Sequence, residues 1–358
     1  MARTGTGRFF EDFRLGEELR HAPPRTVTEA DAALYAALYG SRFPLQDART
    51  FARRLGLDAT PLDDLLVFHV VFGQSVADVS RNAIANLGYA EGVFGAPAFP
   101  GDTLSAKSTI IGLKENSNRK TGVVWVRTTG TNQHGRAVVE YVRWVMVKKR
   151  DENAPAPTPV VPGLAPFVPA ERLAPPDGLA IEGYDLAASG DSRLWQDYAP
   201  GERLDHVDGM TIEEAEHMLA TRLYRNTAQV HFNRHAEKDG RFGRRIVYGG
   251  HVVSLARALS VNGLANAFRI AAINGGSHVA PTFAGDTIYA WTEVLEKIAL
   301  TGRPGLGALR LRTLALKDRG ATDMRAPGGT TDFPGRSGAG YDPAVVLDFD
   351  YTVLMPRR

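Results

Sequence analysis

Residues 12–39 read DFRLGEELRHAPPRTVTEADAALYAALY, and residues 197–224 read DYAPGERLDHVDGMTIEEAEHMLATRLY. Superposed at a constant offset of 185, the two stretches agree at 11 of 28 positions without a gap. Gly16/Gly201, Glu17/Glu202, His21/His206, Thr26/Thr211 and Tyr39/Tyr224 are among the matches. A second block follows in the same order: APAFPGDTL at 96–104 against APTFAGDTI at 280–288, offset 184. Two collinear matches with nearly one offset in a chain of 358 residues indicate a duplicated domain, since the period is far longer than any solenoid repeat.

The junction between the copies is marked by composition. Eight of the 21 prolines fall between Pro155 and Pro176, in APAPTPVVPGLAPFVPAERLAPP. Proline at that density fixes an extended backbone and nucleates neither a helix nor a central strand. We therefore expect a first domain over 1–150, a proline-rich linker over 151–182 and a second domain over 183–358.

Composition narrows the chemistry. With 44% hydrophobic residues the chain has ample material for a core. The absence of cysteine removes thiol nucleophiles, thiolate zinc sites and iron–sulfur clusters. A charge of +2, from 42 basic and 40 acidic residues, argues against nucleic acid as a partner. The start, MARTGTGRFFEDF, is too polar for a signal peptide. No run approaches the ~18 apolar residues of a spanning helix, so neither membrane nor export is expected and the cytoplasm is the expected compartment.

Each copy presents the same order of elements. Thr28–Tyr39 and Thr211–Tyr224 read as short amphipathic helices opened by a threonine and acidic residues. A strongly apolar helix comes next, over 65–80 with Phe68, Val71, Phe72, Ser75 and Val79 at helical spacing, and over 250–265 with Val252, Leu255, Ala256 and Leu259. Strand patterns follow at 121–129 and 137–148, then at 287–298, 308–316 and 345–354. Residues 318–342 are glycine-rich and aperiodic, which predicts a long, mobile hairpin loop. Strands and helices do not alternate regularly and no glycine-rich nucleotide loop follows a strand, which excludes Rossmann and barrel folds. The economical solution is an α+β tandem hotdog fold: in each copy an antiparallel sheet wrapped around its long apolar helix.

With the turns Gly101-Asp-Thr103 and Gly285-Asp-Thr287 where the chain enters its sheet, the sequence resembles the MaoC-like dehydratases in their fused, double-hotdog form. That family's hydratase motif has an Asp, an Asn-Pro pair and, five residues after the Asp, a His. Here the second copy reads Asn226-Thr-Ala-Gln-Val-His231, then Ile246-Val-Tyr248-Gly249-Gly250-His251. The His is in register, whereas Asn226 replaces the Asp and Ala228-Gln229 replace the Asn-Pro pair. The first copy has Ser41-Arg-Phe-Pro-Leu-Gln46 in the same place, with neither Asp nor His. One hydration site per chain is expected, mainly in the second copy. LYGSRFPLQ, NTAQVHFN and YGGHVVSLARAL together resemble mesaconyl-CoA hydratases (β-methylmalyl-CoA dehydratases) over nearly the whole chain.

The resemblance implies reversible hydration of an α,β-unsaturated acyl-CoA thioester, with coenzyme A as part of the substrate and no separate cofactor. That chemistry needs a base for water, a proton for Cα and donors for the thioester oxygen. His231 titrates near neutral pH and becomes the candidate acid–base, against a purely structural histidine. Asn226 has no useful protonation equilibrium; it either positions a water or serves as a cap or turn residue. Gly249 and Gly250 open the buried helix and offer backbone N–H groups as an oxyanion hole, against a turn that needs positive φ. Tyr248 lines the pocket or packs. His251 and His69 read as core histidines, and a metal held by the His231–His235 pair is set aside, because no HExxH motif or third ligand accompanies it. A mesaconyl group also carries a free carboxylate. Arg42, Arg225 and Arg245, with Arg222 and Arg244, stand near the motifs and are candidates for that acid or for CoA phosphates. Homo-oligomerisation is expected from the family. The competing readings are another enoyl-CoA hydratase, a hydroxyacyl-thioester dehydratase, a thioesterase, or a non-catalytic acyl-CoA binder.

Overall fold

The computed structural model describes residues 7–324 and 341–358. Most of the stretch expected as a mobile loop, together with the first six residues of the amino terminus, lies outside them. Ten antiparallel strands form one sheet: β1 (Glu18–Thr26), β2 (Ala83–Phe94), β3 (Thr103–Glu115), β4 (Thr121–Thr131), β5 (Ala137–Lys148), β6 (Arg203–Thr211), β7 (Arg269–His278), β8 (Thr287–Ala299), β9 (Leu306–Lys317) and β10 (Val345–Pro356). Their spatial order is β1-β3-β4-β5-β2-β7-β10-β9-β8-β6. The second five repeat the first five in mirror order, so the duplication read from residues 12–39 and 197–224 is a duplication of topology. The halves join where β2 pairs with β7, in the register Tyr89↔Gly276 to Val93↔Ala272.

Each half wraps a helix, Asp64–Val79 in the first and Gly249–Leu259 in the second. Nearly every residue of both is buried. Phe68, Val71 and Phe72 of one helix and Val252, Leu255 and Leu259 of the other belong to a single apolar cluster, so the halves share one core. This is the double hotdog arrangement. The shorter helices Glu29–Tyr39 and Glu214–Leu223 cover the open side, the first capped by Thr28, whose hydroxyl accepts the Asp31 N–H. Among the described residues no helix is long and apolar enough to cross a membrane.

Three expectations need correction. The second central helix stops at Leu259 instead of continuing to 265, because Asn262 leaves the helical region and Gly263 adopts φ of 97°. Five strands carried no readable alternation. In β1, Pro23 and Pro24 sit at a register shift between His21 and Arg25, and β2 and β7 are interrupted by glycines. The proline-rich segment is extended but docked. Val160 pairs with Leu113, the Val168 N–H donates to Asn274 Oδ1 at 2.9 Å, and Val168 and Leu173 pack on Phe268, Ala271 and Leu354. Ala271 on β7 and Leu354 on β10 lie between residues of the central core, Ile270 and Ile273 on one strand and Val353 and Met355 on the other, so the segment covers the outer face of the sheet.

Candidate active site

A cavity of about 410 Å³ opens at the seam of the halves. The second copy contributes Asn226, His231, Tyr248, Gly249 and His278; the first contributes Phe72, Tyr89 and Arg143. A volume of this size suits an acyl chain with part of its carrier. The first copy therefore supplies one wall of the site and is more than a scaffold.

His231 ends a helical turn, Gln229–His231, and is half-buried on the cavity wall. Its Nδ1–H donates to the Ile246 carbonyl at 3.0 Å. A carbonyl only accepts, so this bond fixes the tautomer and leaves Nε2 with a free lone pair. Burial lowers the imidazole pKa to about 4, only partly opposed by that carbonyl. His231 is thus neutral at pH 7, with the Nε2 lone pair unprotonated. His235 lies exposed on a separate short helix, Arg234–Glu237, so the two histidines do not share the helical face their spacing suggested.

Asn226 is buried at the cavity, where its Oδ1 accepts the Ala228 N–H at 3.0 Å. This is the turn geometry weighed above, and it leaves the amide N–H groups as what the side chain offers the cavity. Tyr248 does both things open to it: the ring lines the cavity 5.6 Å from that of His231, and the hydroxyl lies 3.3 Å from His69 Nδ1.

The two central helices begin differently. Asp63 caps the first, its Oδ1 accepting the Leu65 N–H at 2.8 Å. The equivalent positions in the second copy are Tyr248 and Gly250, and no side chain caps that helix. Its first N–H groups, on Gly249 and Gly250, have no acceptor within the helix, and the helix dipole is positive there. Neither glycine has positive φ, which corrects the turn-geometry alternative. They are glycines because a Cβ on Gly249 would lie 2.4 Å from the His278 ring, and one on Gly250 would lie 2.5 Å from His69.

A smaller cavity of about 300 Å³ in the first copy is the twin of this one. There Gln46 stands for His231, Ser41 for Asn226 and Asp63 for Tyr248. Gln46 takes up no proton, and Asp63 already occupies the helix N-terminus.

His251 and His69 are core residues: His251 Nδ1 lies 3.1 Å from the Tyr39 hydroxyl and His69 Nε2 lies 2.9 Å from Ser254 Oγ. The arginines singled out by position are not in the cavity. Arg42 is exposed and its guanidinium donates to Asn262 Oδ1 at 3.4 Å. Arg245 is ion-paired with Glu214. Arg225 is exposed at φ of 53°, and the Arg244 guanidinium stacks 3.7 Å from the Phe283 ring. Sequence neighbourhood was misleading because the turn holding Asn226 and His231 sends its flanking charges outward.

Among the cavity residues that sequence reasoning missed, two bear on the chemistry. His278 ends β7, with Nε2 3.2 Å from the Tyr89 hydroxyl, and burial lowers its pKa to about 4. No motif marks it. Arg143 is fully buried on β5, with Nη2 donating to Ser75 Oγ at 2.9 Å and the guanidinium 4.3 Å from the Phe72 ring. A signal existed here: Arg143 shares the inward phase of Val139, Tyr141, Val145 and Val147.

The family model for mesaconyl-CoA hydratase matches residues 2–323. A β-methylmalyl-CoA dehydratase of Chloroflexus aurantiacus is 62% identical over 358 residues, covering all of this chain and 99% of the relative. A mesaconyl-CoA hydratase of Cereibacter sphaeroides is 58% identical over 356 residues, 99% of this chain and all of the relative. The crystal structure of a MaoC domain protein dehydratase from Chloroflexus aurantiacus superposes with a TM-score of 0.94 at 62% identity, over the full length of both chains. A Mycobacterium tuberculosis protein with a double hotdog fold shares the fold at a TM-score of 0.74 and 24% identity, over 98% of this chain and 99% of that one.

Proposed function

The chain belongs to the mesaconyl-CoA hydratase family, and on that premise we propose that it is a hydro-lyase interconverting mesaconyl-CoA and β-methylmalyl-CoA, with His231 as acid–base. The observation that carries the assignment is the His231 tautomer: Nδ1–H is tied to the Ile246 carbonyl and a neutral Nε2 is left for the cavity.

Water adds to Cβ of the unsaturated thioester while His231 Nε2 takes its proton. The π electrons move toward the thioester, and the charge gathering on its oxygen is held by the Gly249 and Gly250 N–H groups at the uncapped helix end. The imidazolium then returns the proton to Cα, restoring the base. The low pKa keeps the base unprotonated at pH 7 and makes the imidazolium a ready acid once formed, while leaving a weaker base for the first step. Asn226 donates an amide N–H to the attacking water, and Tyr248 bounds the pocket.

Hydration transfers no electrons, so the reading includes no cofactor beyond the coenzyme A of the substrate. CoA thioesters are large and polyanionic and stay where they are made, which favours the cytoplasm. Homo-oligomerisation, and units bounded at 1–150 and 183–358, remain part of the proposal; light scattering and limited proteolysis test them.

Absorbance at the enoyl-thioester band, followed after adding mesaconyl-CoA, crotonyl-CoA and longer enoyl-CoAs, tests the function. The proposal expects the band to fall with mesaconyl-CoA without release of free CoA. Thiol release would mean a thioesterase, and no change with any thioester would mean a binding protein.

A further inference from the structure

Six cationic side chains are buried in the described residues, and five of them face acids. Arg25 pairs with Asp31, Lys149 with Glu115, Arg269 with Asp64 and Arg312 with Asp348, while Arg257 lies in the field of Asp63 and Asp64. Arg143 is the exception. Its partners are the hydroxyls of Ser75 and Ser80 and the Phe72 ring; the titratable groups around it are only the neutral phenols of Tyr89, Tyr141 and Tyr248, and its Nε has no hydrogen-bond partner. A buried guanidinium without a counter-ion is costly to keep, and proteins rarely hold one without use for it.

Its place in the cavity gives the use. Arg143 lies directly across from Tyr89 in the β2–β5 register. The Tyr89 hydroxyl meets His278, and the His278 ring packs over Gly249. The Tyr89 and His278 side chains therefore link the guanidinium to the proposed oxyanion hole. Asn86 lines the same cavity with both polar atoms of its amide unpartnered.

We propose that Arg143 binds the free carboxylate of a dicarboxylic acyl-CoA, the substrate itself supplying the missing counter-ion. The inference rests on the hydratase reading of the same site and deepens it. In a β-methylmalyl thioester the hydroxyl and the free carboxylate share one carbon, so a carboxylate on Arg143 fixes Cβ, the carbon that water attacks. Neutralising that carboxylate also makes Cβ a better electrophile. Arg257, on the other central helix, shows the contrast, since it is buried but already lies in the field of acids of the chain.

Calorimetric binding of saturated, unreactive thioesters tests this on the full chain. Succinyl-CoA, whose carboxylate sits on Cβ, should bind the wild type about 10- to 100-fold more tightly than butyryl-CoA and than the neutral amide of succinyl-CoA. Arg143→Met should reduce that ratio to about one, and Arg143→Lys should restore part of it. Removal of an uncompensated charge should leave the Arg143→Met melting temperature equal or higher, whereas a purely structural arginine would lower it. A wild type that does not discriminate overturns the proposal, even if Arg143→Met fails to fold. Retention of the ratio by Arg143→Met overturns it as well. Mesaconyl-CoA hydration by a wild type that binds succinyl-CoA and its amide equally would leave the hydratase reading standing and remove only the arginine's role. Binding of no thioester would remove both.

Discussion

The hydroxyls of Tyr39 and Tyr224 lie 2.7 Å apart, and the two residues are the same position of the repeat, 185 residues from one another. His69 and Ser254, bonded at 2.9 Å, are another such pair. Equivalent positions meet only on an axis relating the halves, so the chain behaves as a two-fold dimer fused into one polypeptide.

That contact is predicted to be energetically coupled. Tyr39→Phe and Tyr224→Phe should each cost about 1–3 kcal/mol, because a buried hydroxyl loses its partner. Tyr39 should cost more, since its hydroxyl also meets His251. Urea unfolding of both single variants and the double variant should show non-additivity above about 0.5 kcal/mol.

Stability should fall in mild acid. Burial lowers His69 and His251 to about 3, and His206, His231 and His278 to about 4. Each binds a proton more readily unfolded, near pH 6.5, than folded. Protonation therefore favours the unfolded chain from pH 6.5 down to the folded pKa, at about 1.4 kcal/mol per pH unit for each group. The melting temperature should change little between pH 7 and about 9 and drop steeply between pH 6.5 and 4. Turnover, which needs neutral His231, should lose no activity to its titration until near pH 4; a loss with a midpoint near 6.5 in still-folded protein contradicts a depressed His231.

Gly249→Ala places a Cβ 2.4 Å from the His278 ring. Moving that ring out of the way disturbs the cavity and shields the helix N–H groups, so kcat/KM should fall by about 100-fold. Gly275→Ala, where the nearest atoms are 4.0 Å away, is the control and should lose less than twofold.

Arg42→Ala should leave the KM for mesaconyl-CoA within about twofold and stability within about 0.5 kcal/mol, as expected for an exposed side chain. Arg245→Ala breaks the pair with Glu214 and should lower the melting temperature without altering discrimination between diacid and monoacid thioesters.

The duplication, the central helices and five strands were legible because they carry periodicity or repeat identity. Residues 137–148 are a run rich in β-branched and aromatic residues and are β5 as read. The β1 and β7 strands were not legible, since prolines and glycines replace the alternating side chains and their pairing is set by neighbours distant in sequence. The site divides along the same line. Asn226, His231, Tyr248 and Gly249 come from two local motifs and meet in one cavity. Arg143 and His278 come from strands of opposite halves, and only the β2–β7 junction brings them together. Of the five arginines chosen for nearness in sequence, Arg42, Arg222, Arg225 and Arg244 are exposed and Arg245 is paired with Glu214, because chain proximity says nothing about direction.

The central claim is that a neutral His231 is the base that hydrates mesaconyl-CoA, and the hydration rate of His231→Gln measures it most directly. With the melting temperature unchanged, the account predicts a fall in kcat of about 10²- to 10⁴-fold at pH 7 while mesaconyl-CoA still binds. A His231→Gln enzyme that stays folded and turns over at the wild-type rate would contradict it.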